Sequence, residues 1–558
     1  MKAKTKKGIK YTLLSALVAL VGTVTIAASN PDFALGRNIQ ILFNMFRELN
    51  LLYVDQIDPD EMLLDAADGM TSKLDPYTEL IPEKEMADFE IMTTGKYGGM
   101  GAMIRQKDDY VMIAQPYKNS PADKAGLVVG DLLLEVNGES IKGYEVSKVS
   151  SMLKGTPGTT LHLKVRKLLT GQEEELTFKR ERIVVSGIPY WSVIDDSIGY
   201  IVHKDFSEDC SNDIRNAVMS MKKAGIKGLI IDLRGNGGGI LQEAVKILSM
   251  FVPKGTEVVS MRGRMKELDA TFVTQSEPID TQIPVAVLIN SSSASAAEIV
   301  AGAFQDLDRG VLLGQRSFGK GLVQSTRPVG YNAYLKLTTA KYYPPSGRCI
   351  QAIDYSHRAE DGSVGTVPDS LIKEYTTKAG RKVYDGGGVM PDIRMPDNYY
   401  SRFTNVLYGK GYIEDFANLY YKKHREGVDV DNFELSDADY NEFVRFMADK
   451  PVDFESETQQ TLSQLRQKAE RDKYLDRIEG ELNAIEQKIR DDKQADLQAF
   501  KKEIKELIGD EIVMRYHYIQ GVARHNSHLD PEILEAIKVL QDPARYHQII
   551  TSQDTQRK

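Results

Sequence analysis

Gly228-Leu-Ile-Ile-Asp-Leu-Arg-Gly-Asn-Gly-Gly-Gly-Ile240 is the stretch that sets the fold class. Its first six residues, apolar but for Asp232, form a run short enough to be a buried strand. Its glycines make a tight turn, and Leu241 to Phe251 then carries apolar residues at helical spacing. Strand, turn and helix in direct succession are the repeating unit of an α/β layer. The order recurs in Val285-Ala-Val-Leu-Ile289, a second buried strand, followed by a helix from Ala294 to Leu307. Val311-Leu-Leu-Gly314 and Tyr334-Leu-Lys-Leu-Thr338 continue the sheet. From 184 to about 345 the chain therefore reads as a layered α/β core.

The chemistry sits at the turns of this pattern. Backbone donors of the 234–240 loop can line an anion site. The loop matches neither the Walker spacing nor the dinucleotide fingerprint. An oxyanion hole is the better use, with Gly238 the first choice and Gly239 the second; a plain tight turn also fits. Ser295, in Asn290-Ser-Ser-Ser-Ala-Ser-Ala-Ala-Glu298, follows a strand and opens a helix, so the Ala296 N–H could face a developing oxyanion. Ser295-Ala-Ala-Glu298 equally fits a capping box, which would be structural only. Lys320, in Ser317-Phe-Gly-Lys-Gly321, is a candidate base for Ser295, because no histidine lies nearby in the sequence. A desolvated lysine amine can take a serine proton, and Phe318 would help desolvate it. An exposed turn lysine is the alternative. Gln324 could orient the amine, or be a surface glutamine. No histidine–cysteine cluster suggests a metal, and no cofactor is expected.

Outward from this core, residues 35–92 carry helical periodicity broken at Asp75-Pro76 and read as a packing or dimerisation arm. Residues 96–168 switch to short strands and turns, with Asn137-Gly138 a hairpin signal and Leu161-His-Leu-Lys-Val165 the last strand. Tyr97-Gly-Gly-Met-Gly-Ala102 can offer backbone N–H groups of Gly98, Gly99, Met100, Gly101 and Ala102 to a peptide carboxylate, the peptide adding as a strand. Beyond about 400 the chain is helical and charged. Leu475, Ile478, Leu482, Ile485 and Ile489 step by three and four, as in a helical hairpin or coiled coil.

The composition bounds the setting. A net charge of −9 over 558 residues argues against nucleic acid as a partner. Cys210 and Cys349 are too few for a disulfide scaffold. Lys2, Lys4, Lys6, Lys7 and Lys10 precede an apolar run from Tyr11 to Ala28, the pattern of an export signal or a retained membrane anchor. The chain is expected in the periplasm or cell envelope, either free or held at the inner membrane.

Taken together, these motifs resemble the C-terminal processing peptidases, or tail-specific proteases. Alongside the segments at 230–239, 293–298 and 317–324, the resemblance rests on Tyr343-Pro-Pro-Ser-Gly-Arg348 and Gly386-Gly-Gly-Val-Met-Pro-Asp392. It covers roughly residues 35–400. Residues 96–168 are similar to a PDZ domain, with Ser120-Pro-Ala-Asp-Lys-Ala-Gly126 in place. The resemblance implies an α/β core of the crotonase (ClpP/crotonase) type spanning 184–400 with an inserted PDZ domain. The residues themselves add a signal or anchor at 1–29, a helical region at 30–95 and a charged helical region at 401–558, a tail longer than the small family members carry. The implied activity is a serine endopeptidase acting on protein or peptide C-termini, with Ser295 as nucleophile, Lys320 as base and Gln324 as its orienter. Gly238 and Ala296 would hold the oxyanion, and Asp306 would support them. The family's usual serine after Ala296 is Ala297 here. A homo-oligomer is compatible with the helical arm. The alternative is a catalytically inactive PDZ protein that binds peptides on the same fold.

Overall fold

The structure is a computed structural model describing residues 31–359, 361–396, 400–452, 457–489 and 493–552. The signal or anchor expected at 1–29 lies outside the described residues. Among the described residues no helix is long and apolar enough to cross a membrane. The chain divides into two compact units, one holding the chain up to Glu83 with Thr326–Leu337, the other holding Lys84–Ser325 and the chain from Thr338.

The smaller unit contains the helices Pro31–Leu52 and Pro59–Thr71. Asp58 caps the second by accepting the Asp60 N–H, and Pro59 occupies the first turn, where it costs no hydrogen bond. A short strand, Glu79–Ile81, runs antiparallel to Tyr334–Lys336. The helix Pro31–Leu52 leaves Phe33, Leu35, Ile39 and Phe43 exposed.

The larger unit is built on a six-stranded sheet in the order Tyr190–Ile194, Ile198–Val202, Gly228–Asp232, Val285–Ile289, Val311–Gly314, Ile393–Arg394. The first pair is antiparallel and the rest are parallel. In the four inner strands residues alternate between two buried faces, which explains why their sequence runs are mostly apolar, while the edge strand Tyr190–Ile194 leaves Trp191 and Val193 exposed. Leu229, Ile231, Val287 and Ile289 face the helices Cys210–Lys223, Leu241–Leu248 and Ala296–Asp306. Ile230, Ala286, Leu288 and Leu313 face the C-terminal helices Pro531–Gln541 and Pro543–Thr551.

Residues 96–184 form a separate sheet of Ala102–Lys107, Tyr110–Pro116, Leu132–Val136, Thr160–Arg166 and Glu173–Lys179, in that order. Asn137 and Gly138 turn the predicted hairpin with φ of 52° and 81°, the left-handed pair such a turn needs. The sheet does not end at 168: Glu173–Lys179 pairs along the whole of Thr160–Arg166. That strand escapes a sequence reading because only Leu176 and Phe178 of it pack on the core.

The helices from Arg402 onward enclose Phe403, Leu407, Phe416, Tyr440, Phe443 and Ile508. The helix Tyr412–Lys423 meets the 96–184 sheet through charge: Glu414 pairs with Arg105, and Asp415 with Lys107 at 2.7 Å. The Leu475–Ile489 repeat forms a helix, Leu475–Lys488, beside Glu457–Arg471, with Leu482 buried and Ile485 exposed.

One carboxyl in this helical region has a measurable consequence. Asp510, half-buried in Lys501–Asn526, is pushed up to about 7 by burial; Asn526 Nδ2, 3.2 Å away, offsets this, and Glu511 and Glu506 add to it. Unfolded, it titrates near 4. The fold holds this proton more tightly than the unfolded chain does, so stability is full below pH ~4 and falls as pH rises to ~7. Asp510→Asn removes that fall. Thermal melts are expected to show the variant more stable at pH 8 by on the order of 2 kcal/mol, with the gain vanishing near pH 4. Equal stability of the two proteins at pH 8 contradicts this.

Candidate active site

Three loops converge at the ends of the central strands. Ser295 stands at the junction of a strand and the helix Ala296–Asp306, with φ 57° and ψ −117°. A non-glycine residue held there is strained, and such turns present a nucleophile's side chain clear of the sheet. Gly238 explains how the turn is accommodated. A Cβ on Gly238 would lie 2.7 Å from Ser295 Cβ and 2.9 Å from the Ala296 nitrogen, so only glycine fits.

The Gly238 N–H donates to Asn236 Oδ1 at 2.8 Å. That engagement corrects the expectation that Gly238 is the open donor of this loop. The N–H groups of Gly239 and Ala296 have no partner among the described residues. Asn236 is fully buried; its Nδ2 donates to the His203 carbonyl and its own carbonyl accepts from Ala294. The fold thus brings a histidine to the loop after all, through its backbone. The His203 ring is buried, its pKa pushed down to about 4 by burial, with Nε2 against the Asp205 carbonyl.

Lys320 is fixed on both sides. A Cβ on Gly319 would lie 2.4 Å from Ala352 Cβ, and one on Gly321 2.9 Å from the Gln351 nitrogen. Gly319 accepts the Ala352 N–H at 2.9 Å, and Gly321 donates to Gln351 Oε1 at 2.8 Å. The Tyr342 hydroxyl donates to the Lys320 carbonyl. Lys320 is half-buried, but the Phe318 ring is 45% exposed and is not the shield the sequence suggested. The Gln324 amide donates to Thr338 Oγ1 at 3.0 Å, leaving its carbonyl oxygen as the available acceptor. Asp306 pairs with Arg348 at 2.9 Å and accepts the Ser346 N–H.

The residue that joins the loops is Glu298. Its Oε2 accepts the Ser295 N–H at 2.9 Å and the Lys320 N–H at 2.8 Å. Its Oε1 accepts the Ser317 hydroxyl at 2.5 Å and the Gly319 N–H at 2.7 Å. Burial raises its carboxyl above the usual range, and these four donors work against that shift.

At the 96–102 loop, Gly98 and Gly99 belong to the strand Lys96–Gly99, paired with Glu181–Val184. Gly98 also accepts the Gly155 N–H at 3.0 Å. Met100 and Gly101 leave that ladder, and their N–H groups have no partner among the described residues. They stand beside a small cavity lined by Tyr97, Met100, Ala102, Ile104, Ser150 and Leu153, between an edge strand and the helix Val146–Leu153.

Three family models match the chain: Peptidase family S41 over residues 197–369, a PDZ domain over 112–167, and the C-terminal helical domain of a probable PDZ-protease over 403–540. A carboxy-terminal-processing protease of Bartonella bacilliformis is 30% identical over 366 residues, covering 65% of this chain and 80% of that one. The chain belongs to this family. It is a C-terminal processing serine protease with a PDZ domain and a helical C-terminal domain, of mixed α/β architecture. A probable CtpA-like serine protease of Staphylococcus aureus is 32% identical over 61% of this chain and 69% of its own. A photosystem II D1 C-terminal processing protease aligns over 64% of this chain and 87% of its own, at 24% identity and a TM-score of 0.36, too loose a superposition to carry a structural argument. None of these matches supports the inactive alternative.

In this protease the sequence reading missed Glu298 as a link, since its match to a capping box explained it locally. Arg234 it treated only as the start of the glycine loop. Arg234 forks onto Asp232 at 2.9 and 2.7 Å, and the Tyr200 hydroxyl donates to the same carboxylate at 2.9 Å. Burial opposes ionisation of Asp232, and Arg234 overcomes it, holding the carboxyl below its usual range. A strand-end Asp-x-Arg ahead of a glycine turn was the available signal.

Proposed function

We propose that Ser295 and Lys320 are the nucleophile and general base of an acyl-enzyme peptidase, on a core of the crotonase type. One observation carries this reading: a single oxygen, Glu298 Oε2, holds the backbone N–H groups of both residues. The neutral Lys320 amine takes the Ser295 proton, and Oγ attacks the scissile carbonyl. The tetrahedral oxyanion accepts from the Ala296 and Gly239 N–H groups. The Lys320 ammonium, with Gln324 as its orienter, returns the proton to the leaving amine. Water then releases the acyl group. Domains follow as 30–95 arm, 96–168 PDZ domain with its last strand reaching Lys179, 184–400 peptidase core and 401–558 helical domain.

The substrate is an accessible C-terminal tail. Its carboxylate is bound by the N–H groups of Met100, Gly101 and Ala102, and its last side chain fills the neighbouring cavity while the tail adds to the strand Ala102–Lys107. The leader places the protein in the cell envelope, where it is exported or anchored through its N-terminus. The exposed apolar residues of Pro31–Leu52 favour self-association.

The test compares one tail peptide with a free C-terminal carboxylate and the same peptide amidated. Loss of charge-assisted hydrogen bonds is expected to raise KM about tenfold or more, with kcat within about twofold. Equal KM values contradict carboxylate capture.

A further inference from the structure

The C-terminal helical domain reaches the catalytic loops through two carboxylates. Asp530 and Glu532 open the helix Pro531–Gln541. Asp530 Oδ2 and Glu532 Oε2 each lie 2.7 Å from Nη1 of Arg234, on the side of the guanidinium that Asp232 does not use. Arg234 immediately precedes the glycine loop, and its carbonyl accepts from Lys204 at 3.0 Å. The other oxygen of Glu532, Oε1, accepts the Gln315 amide at 2.5 Å. Gln315 begins the segment that leads through Ser317 to Lys320, and its own N–H is fixed on Ile289. One side chain from the helical domain therefore touches the start of both loops on which the proposed oxyanion donor and base are carried.

The burial is unusual for this chemistry. Glu532 is 7% exposed. Arg234 is held by three carboxylates in a site largely closed to water, where such pairs are geometrically demanding and weak contributors to net stability. The apolar face of the same helix, through Ile533, Ala536 and Leu540, already anchors the helix on the sheet. Beside those apolar contacts, the ion pairs fix the direction of Arg234 and link two loop origins.

We propose that Glu532, assisted by Asp530, is a positioning residue for the peptidase reaction. It sets the glycine loop against the Lys320 loop through Arg234 and Gln315, so that the C-terminal domain is part of the catalytic apparatus. This rests on the reading of Ser295, Lys320 and the glycine loop given above.

The experiment uses the full chain and a C-terminal tail peptide. Glu532→Gln keeps the packing and removes the charge; Asp530→Asn keeps the oxygen that caps the helix. A shift of catalytic groups by a fraction of an ångström is expected to lower kcat about tenfold or more, with KM within about twofold. A purely structural role would lower the melting temperature and leave kcat of the folded enzyme unchanged. Arg234→Lys is expected to lose a similar amount, and Arg234→Lys with Glu532→Gln no more than the larger single loss, because both act through one contact. Parental kcat in Glu532→Gln, or losses that multiply in the double variant, overturns the proposal. If Glu532→Gln does not fold, Asp530→Asn carries the same test. Ser295→Ala is measured alongside: cleavage at the parental rate by that variant would sink the reading of the site itself, whereas an inactive Ser295→Ala beside a fully active Glu532→Gln sinks only this proposal.

Discussion

Ser295→Ala and Lys320→Ala each lower kcat for tail cleavage by about 10^4-fold or more, and the double variant is no worse than either alone. A nucleophile and its base work as a unit, so removing one disables the other. Lys320→Arg gives no recovery, because a guanidinium does not lose its proton near neutral pH and cannot accept one from serine. Tail binding through the PDZ domain survives in all four variants, since that site is built from other residues. Steady-state cleavage of a fluorogenic tail peptide measures the first effect and anisotropy of the same peptide the second. Residual kcat within about tenfold of the parent in either alanine variant contradicts the assignment.

Glu298→Gln carries the next largest effect. The carboxylate offers two acceptor oxygens to four donors, and the fold closes completely around it. A glutamine has one such oxygen. Whichever way the amide turns, its NH2 faces two donors, either the Ser295 and Lys320 N–H groups or the Gly319 N–H and the Ser317 hydroxyl. Leaving buried donors unpaired costs about 2–5 kcal/mol in total, and the loops separate to relieve it. Displacement of the two reacting groups is expected to lower kcat about 10²-fold or more. Protonating Glu298 has the same consequence in milder form, so kcat should fall as pH drops through a carboxyl pKa lying above the usual range. Glu298→Gln is expected to lack that acid limb and keep only the one set by the Lys320 amine. A variant with parental kcat, or with both acid limbs intact, would show that the bridge is ornamental.

How far the sequence reveals this arrangement depends on the range of each interaction. The strands at 228–232 and 285–289 are legible because burial on both faces makes Leu229–Ile231 and Val285–Ile289 continuously apolar. Ser295 and Lys320 are legible because glycines and small residues flank them, and such flanks mark close approach of the backbone. The strand Glu173–Lys179 is hidden because its first three residues are glutamates, with Glu173 held at the surface by Lys164 and Arg166. The choice of Gly238 as an open donor fails because the Asn236 side chain turns back on it, a contact that a run of glycines does not disclose. Glu298 is hidden by its own local explanation: the capping box accounts for its spacing, and only the fold shows that the same oxygen also holds Lys320. The partners of Arg234 lie at the far end of the chain, where no periodicity links residue 530 to residue 234. The tail's helical pattern is visible, yet its reach to Arg234 and Gln315 belongs to tertiary packing alone.

Reaction with a fluorophosphonate, followed by mass spectrometry, addresses the pairing of hydroxyl and amine without any assumption about substrate. The adduct should form on Ser295 alone, at a rate that rises with pH as one group loses its proton, and about 10³-fold more slowly in Lys320→Ala. An adduct on a different residue, or labelling of Ser295 in Lys320→Ala at the parental rate, would contradict a mechanism in which the Lys320 amine draws the proton from Ser295.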